Sequence, residues 1–414
     1  MTSDIDRRSF LTNLVAAGVA APLAAGAVAS VDAAMRDAAT PAPSAAPSAQ
    51  ANYPFEGSHQ NGILTPAQRN AAFVAFDVTA VGRSGLADLM RTITDRARLL
   101  TAGTAPTPLG LSAPPADSGV LGPEPVSDGL TVTASVGASL FDGRYGLQSL
   151  KPRKLRRMDE FPNDALDRAV CDGDLLLQIC AHNQDAVLHA LRDITRSTRG
   201  GMQVRWRQDG FISPPRPTGT PRNHLGFKDG TSNPDTTNAR EMNQLVWAGA
   251  AEPSWAAGGT YHVVRSIRML VEFWDRVNIG EQESMIGRRK DSGAPLTASK
   301  ELDDPAYATD PGGDVIPMSA HIRVANPRTP ASLATRILRR GYNYDNGTDA
   351  NGNLNMGLLF VAYNRDLDRQ FVAIQKRLAD EPLVDYISPF GGGYFFALPG
   401  VRSSSDWLGS TLLD

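Results

Sequence analysis

Asp174-Leu175-Leu176-Leu177-Gln178-Ile179-Cys180-Ala181-His182-Asn183 runs straight into an amphipathic helix spanning Gln184 to Thr195. The same plan returns near the C-terminus. There Gly357-Leu358-Leu359-Phe360-Val361-Ala362-Tyr363-Asn364 runs into a helix spanning Asp366 to Leu378. Each is an apolar run of strand length followed by helical periodicity. Placing Asn183 on Asn364 gives an offset of 181 residues. The same offset lays Val136-Gly137-Ala138-Ser139-Leu140 on Pro317-Met318-Ser319-Ala320-His321, so that Leu140 falls on His321. The identities are few, but the order of elements also repeats. The reading is a duplicated α+β unit with halves at 62–220 and 221–414, one of which has gained a histidine where the other keeps an apolar residue.

Working outward, Ala71 to Val78 is a strand candidate. Leu86, Leu89, Met90, Ile93, Ala97 and Leu100 then recur at helical spacing. A Pro/Gly-rich loop covers 103–128, Leu130 to Phe141 is a second strand, and Asp174 to Ala181 a third. The second half opens on a strand from Tyr261 to Val271.

Residues 1–33 read as a targeting peptide. Arg7-Arg8-Ser9-Phe10-Leu11 heads an Ala/Gly-rich apolar stretch that ends at small-residue cleavage patterns, Ala27-Val28-Ala29 and Val31-Asp32-Ala33. This resembles a twin-arginine signal, which exports chains already folded and so with a cofactor already inserted. The expected location is periplasmic or secreted, with no stable membrane span after cleavage. Residues 34–61, rich in Ala, Pro, Ser and Gln, read as a flexible linker.

The chain has 414 residues, is 42% hydrophobic and 21% charged, and carries a net charge of -3. That balance gives no bulk basic field for nucleic acid. The only cysteines, Cys171 and Cys180, lie nine positions apart across an extended segment. At roughly 3.3 Å per residue their Cα atoms stand too far apart for a disulfide. Two free buried thiols are expected, and no cysteine cluster offers a zinc site.

Among the six histidines, His189 falls in a helix, His262 in a strand, and His321 in a strand continuing as Ile322-Arg323-Val324-Ala325-Asn326-Pro327-Arg328. No pair has the spacing of a helical zinc site, so a metal would be held singly, as in a haem. Gly226-Phe227-Lys228-Asp229-Gly230-Thr231-Ser232-Asn233-Pro234-Asp235 has the alternating oxygen donors of a calcium loop. It fails as one, with Pro234 in place of the turn glycine and Arg240 in place of the closing glutamate. Asp345-Asn346-Gly347-Thr348-Asp349 fails similarly.

The run Gly226-x-x-Asp229-Gly230, then His321, then Arg339, resembles the dye-decolourizing peroxidases. Gly391-Gly392-Gly393-Tyr394-Phe395-Phe396-Ala397-Leu398-Pro399-Gly400-Val401 resembles their exported, deferrochelatase-like branch. The likeness covers the chain from about Gly62 to its end. It implies two ferredoxin-like units with antiparallel sheets forming a β-barrel-like core, and a haem b in the C-terminal half. His321 is then the iron ligand, with Asp229 and Arg339 on the opposite face and Leu358 and Phe360 lining the pocket. Arg323 and the backbone of Thr231, Ser232 and Asn233 are candidates to meet the haem propionates. Asp385, with Asp366 as rival, is the candidate carboxylate behind the imidazole.

These residue types suit peroxide chemistry. Splitting the O–O bond needs a proton moved from one oxygen to the other, which a carboxylate can carry. It also needs a fixed positive charge near the departing oxygen, which a guanidinium supplies at any working pH. An aspartate titrates near ~3.9, so an acidic activity optimum is expected. A carboxylate behind a ligating imidazole raises its basicity. Large dyes would be oxidised through surface Trp or Tyr; Trp206, Trp247, Trp255, Trp274, Trp407, Tyr342 and Tyr344 are the supply. The leading expectation is a haem peroxidase using hydrogen peroxide and a reducing substrate. The alternative is haem capture or iron release from haem, with iron-uptake proteins as partners. The C-terminal Trp407 to Asp414 is expected to close the fold.

Overall fold

The computed structural model describes residues 52–413. The twin-arginine segment and the linker up to residue 51 lie outside the described residues. The first half supplies β1 (Asn70–Val78), α1 (Gly82–Thr101), β2 (Thr131–Gly137), β3 (Leu175–Ala181), α2 (Gln184–Ser197) and β4 (Met202–Phe211). The second half supplies β5 (Thr260–Met269), β6 (Leu338–Arg339), β7 (Tyr342–Thr348), β8 (Leu354–Asn364) and β9 (Ile387–Ala397). Short helices Val271–Trp274 and Ile279–Ile286 follow β5, and a helical segment from Asp368 to Arg377 follows β8.

Strands pair in the order β5-β9-β2-β3-β1-β4-β7-β8, and β8 pairs back onto β5, so the antiparallel sheet closes into a barrel. The two-residue β6 continues the edge of β8 that β7 occupies. Within each half the spatial order is second, third, first, fourth strand: β2-β3-β1-β4, then β7-β8-β5-β9. This is the ferredoxin-like arrangement twice over. The halves join where β4 meets β7 and where β2 meets β9. The expected duplicated α+β architecture is what the chain adopts.

The reason lies in how apolar residues divide between two faces. Every residue of β3 is buried. Leu175, Leu177 and Ile179 face a layer built by Leu86, Met90, Ile93 and Ala97 of α1 with Val187, Ala190 and Ile194 of α2. Leu176 and Cys180 face the barrel interior with Phe73, Val264, Leu359, Val361, Tyr342 and Phe395. A strand covered on both faces loses alternation and reads as a continuous apolar run. Each such side chain stabilises the fold by about 1.5–3 kcal/mol. Leu408, Leu412 and Leu413 join the helix-side core, so the C-terminus closes the fold as expected. Cys171 and Cys180 are buried free thiols, also as expected.

Three expectations are corrected. Residues 52–61 are docked, not linker. Gly57 N–H donates to the Val401 carbonyl at 2.7 Å, Gln60 Nε2 donates to the Ala134 and Leu398 carbonyls at 2.8 Å each, and His59 stacks on Trp247 at 3.6 Å. The overlay of Leu140 on His321 does not correspond in space. Leu140 follows β2, whose counterpart is β7, whereas His321 lies in the stretch between Ile286 and β6. His321 therefore has no partner position in the first half. Finally, His321 opens a helical turn, His321–Ala325, instead of lying in a strand. Arg323 and Val324 N–H groups both return to the Ala320 carbonyl. The turn ends at Asn326, which Pro327 holds out of helical geometry.

Candidate active site

The loop carrying Asp229 is fixed by apolar anchors and by one carboxylate. Leu225 and Phe227 are buried beside Trp274, Met285 and Ile286. Gly230 adopts φ +105°, and a side chain there would meet only Asn233 Nδ2 at an ordinary 4.0 Å, so its backbone, not crowding, demands glycine. Next to Asp229, Lys228 pairs with Glu301. Glu301 also accepts from Thr220 N–H at 3.1 Å and from Thr231 Oγ1 at 3.2 Å. Burial pushes its carboxyl pKa up, but hydrogen bonds from Lys228 and Thr220 outweigh that and hold it below the ordinary carboxylate value.

From this loop Asp229 Oδ1 accepts a hydrogen bond from Arg339 Nη1 at 2.9 Å. Both side chains are about a quarter exposed, at 26% and 28%. Asn233 grips the backbone of the same arginine. Its Oδ1 accepts from Arg339 N–H at 3.0 Å, and its Nδ2 donates to the Arg339 carbonyl at 2.7 Å.

Sheet register places Arg339 among apolar neighbours. Arg339 pairs with Ala362, so its side chain shares the outer face of β8 with Phe360 and Leu358. Leu338, Leu359, Val361 and Tyr363 point the other way, into the barrel. Met356, Leu358 and Phe360 are half-buried, while the alternating Gly357, Leu359 and Val361 are buried. The outer face of β8 thus carries an apolar wall that remains partly open. Leu358 and Phe360 share one face of their strand.

His321 donates or accepts through Nδ1 to both oxygens of Glu381, at 2.7 and 3.0 Å. The Glu381 side chain is 3% exposed and that of His321 is 32% exposed. With Nδ1 held on a buried carboxylate, the open edge of the ring carries Nε2, which has no hydrogen-bond partner among the described residues. Burial pushes the imidazole pKa down, but the Glu381 charge and hydrogen bond raise it above the ordinary value. Arg339 and Asp229 act on the same ring with smaller, opposed effects, which puts both pairs in one electrostatic neighbourhood.

Other expected residues fall elsewhere. The carboxylate behind His321 is Glu381, not Asp385 or Asp366. Asp385 is exposed on the turn Pro382–Tyr386. Asp366 Oδ1 accepts from the N–H groups of Asp368 and Arg369, capping the helical segment. Arg323 is buried at 7% exposure. It is consumed by Asp310 at 3.1 Å and by the Ile316 and Asp310 carbonyls at 2.7 Å each, with its guanidinium over the Tyr307 ring. Three of its five N–H donors are used in this way, two from Nη1 and one from Nη2.

Thr231, Ser232 and Asn233 line a cavity of about 190 Å³ shared with Arg288, Arg328 and Arg336 and with the carboxylates of Glu301 and Asp303. The Asn233 backbone N–H is taken by the Gly230 carbonyl. Among the tryptophans, Trp206, Trp247, Trp255 and Trp274 are buried packing residues, as are Tyr342 and Tyr344. Trp407 is half-buried beneath Arg91.

The donor set fits a haem. One imidazole has a free ring nitrogen and a carboxylate behind it. An apolar wall is left partly open, a polar cavity carries three arginines beside Glu301 and Asp303, and an acid–guanidinium pair is at hand. This combination, on a barrel of two ferredoxin-like units, defines a haem peroxidase.

The comparisons give the family. The description "Dyp-type peroxidase, N-terminal" matches residues 60–212, and "Dyp-type peroxidase, C-terminal" matches residues 220–402. The chain belongs to the Dyp-type peroxidase family. A deferrochelatase of Escherichia coli O6:K15:H31 is 53% identical over 367 residues, covering 87% of each chain. One of Yersinia pestis is 51% identical over 367 residues, covering 87% of this chain and 85% of its own. Among solved structures, ferric DtpA from Streptomyces lividans superposes with a TM-score of 0.79 at 36% identity, covering 88% of this chain and 98% of its own. The DyP-type peroxidase from Cellulomonas bogoriensis gives 0.79 at 37%, covering 88% and 99%.

Proposed function

We propose that this haem peroxidase holds haem b through Nε2 of His321 and reduces hydrogen peroxide with Asp229 as proton carrier and Arg339 as fixed charge. The observations that carry this are two hydrogen-bonded pairs, His321 Nδ1 on Glu381 and Arg339 on Asp229, the second beside the partly open outer face of β8. Haem supplies the two-electron redox chemistry that takes peroxide to water. Glu381 accepts the Nδ1 proton of His321, fixes the tautomer and raises the basicity of Nε2. Asp229 takes a proton from the incoming peroxide and returns it to the departing oxygen. Arg339 stabilises the negative charge that develops there. Leu358 and Phe360 would line this space with apolar side chains. Thr231, Ser232, Arg288 and Arg328, around the polar cavity, would meet the anionic edge of the haem, with Arg323 as a further candidate. The chain works outside the cytoplasm, delivered folded by its twin-arginine segment. No helix among the described residues is long and apolar enough to cross a membrane.

The test is the absorption spectrum of the haem-loaded protein beside His321→Ala, followed by peroxide turnover. A ferric high-spin Soret band altered or lost in His321→Ala establishes the ligand; an unchanged spectrum overturns it. Turnover lost in Asp229→Ala with haem retained establishes the acid. A second reading, iron release from haem coupled to uptake proteins, is favoured by the name deferrochelatase carried by relatives at 51–53% identity. Iron appearing with intact porphyrin left behind would support it, and tight haem transfer without peroxide turnover would favour a carrier.

A further inference from the structure

β6 is only two residues long, and it pairs with β8 on one side alone. The neighbouring Arg340 N–H donates to the Val361 carbonyl at 2.9 Å, so the N–H and C=O of Arg339 point away from β8. Left unpaired, those groups would mark a frayed edge. Asn233 occupies that edge. Its carboxamide offers one acceptor and one donor, as a peptide group does, and uses both on Arg339. The guanidinium makes a single side-chain hydrogen bond among the described residues, the 2.9 Å contact with Asp229. A long side chain held at one point takes its position mainly from its backbone.

Asp229 immediately precedes the turn from Gly230 to Asn233, which the Asn233 N–H closes on the Gly230 carbonyl at 3.1 Å. One loop therefore delivers a carboxylate to the guanidinium and an amide to the backbone beneath it. Resting on the peroxidase reading above, we propose that Asn233 is a positioning residue: it acts as a one-residue surrogate strand that sets Arg339 against Asp229 for the peroxide step.

The experiment uses the haem-loaded wild type, Asn233→Ala, Asn233→Asp, Arg339→Leu and the double variant Asn233→Ala/Arg339→Leu. The readouts are the second-order rate constant with hydrogen peroxide, followed at the Soret band, and the KM for the reducing substrate. Asn233→Asp keeps the shape but removes the donor. Both Asn233 variants are expected to slow the peroxide step on the order of 10- to 100-fold, the penalty of a misplaced catalytic group. Haem content and the reductant KM are expected to stay unchanged. In the Arg339→Leu background, Asn233→Ala should cost almost nothing more, because the group it positions is gone.

A wild-type peroxide rate in a haem-loaded Asn233 variant overturns the proposal. So does an Asn233→Ala loss that persists undiminished without Arg339. Failure of both Asn233 variants to hold haem overturns it as well, since that assigns Asn233 to the haem cavity instead of to Arg339. A wild type that holds haem but ignores peroxide sinks the peroxidase reading itself, a distinguishable outcome.

Discussion

Asp229 and Arg339, separated by 110 positions, meet through one hydrogen bond of 2.9 Å, with each side chain still partly open to solvent. A pair this exposed contributes little to stability, at most about 1 kcal/mol. Its value is chemical, and the two substitutions should separate accordingly. Asp229→Asn is expected to lower the rate with peroxide by about 10²–10⁴-fold, the usual worth of a positioned proton carrier. Arg339→Leu should lower it by about 10²–10³-fold. Neither should shift the melting temperature by more than a few degrees. Stopped-flow rates and thermal melts on the same haem-loaded samples check this; a large loss of stability with unchanged rate would reverse the assignment.

Glu381 gives a second expectation. Its carboxylate is buried and holds His321 Nδ1 through both oxygens. Glu381→Gln keeps the shape and removes the charge. Partners behind a metal-bound histidine typically contribute 10–100-fold to affinity or activity. Haem should therefore leave the variant faster, measured by transfer to apomyoglobin, and the Soret band should shift. Asp385→Asn, an exposed site, should match wild type in both measurements.

The contrast between Glu381 and Asp385 shows where sequence reading runs out. The strand–helix units at Leu175–Ser197 and at Leu354–Arg377 were readable because burial on defined faces leaves a periodic trace. A spaced motif singled out Asp229, His321 and Arg339, and the fold brings Asp229 and Arg339 into hydrogen-bond contact. Glu381 reaches His321 across 60 positions. It lies before Pro382 in a short turn, where nothing local marks it. Arg323 carried a charge, but the charge did not say that Asp310 would consume it. Ile322 and Val324 alternate with polar residues like a strand, yet five residues ended by Pro327 fold as a turn. The two-residue β6 is too short to leave any pattern, and so the role of Asn233 stays hidden until the backbone partners are known.

The two thiols should be inert. Cys180 is fully buried in the barrel, and burial pushes its thiol up. Cys171 is pushed up to about 11, chiefly by burial with help from the Asp172 charge. Thiolate is the reactive form, so neither side chain offers a nucleophile at working pH. Ellman's reagent should label no cysteine in the native protein and two after denaturation. A reductant should leave the melting temperature unchanged, an outcome a disulfide-stapled fold could not give.

His262 should weaken the fold in acid. It is buried in the barrel, stacked on Tyr363 at 4.6 Å, with Nδ1 on Ser135 Oγ at 3.0 Å and Nε2 without a partner. Burial holds its pKa down to about 3. In the unfolded chain the same imidazole titrates near ~6.5. Between those values the unfolded state binds a proton that the native state refuses, so stability falls as pH falls through that window. The slope is up to about 1.4 kcal/mol per pH unit. Above pH ~7 the ring is neutral in both states and contributes no pH dependence. His262→Gln should be less stable than wild type near neutrality, because it disturbs a packed ring. Its disadvantage should shrink steadily as the buffer is taken from pH 6.5 towards 4. Urea midpoints of both proteins across that range measure the difference directly. A gap that stays constant with pH would mean that the imidazole gains its proton without unfolding. The acidic optimum expected of an aspartate proton carrier would then meet a barrel that protonation of His262 weakens, so His262 should narrow the working range from below.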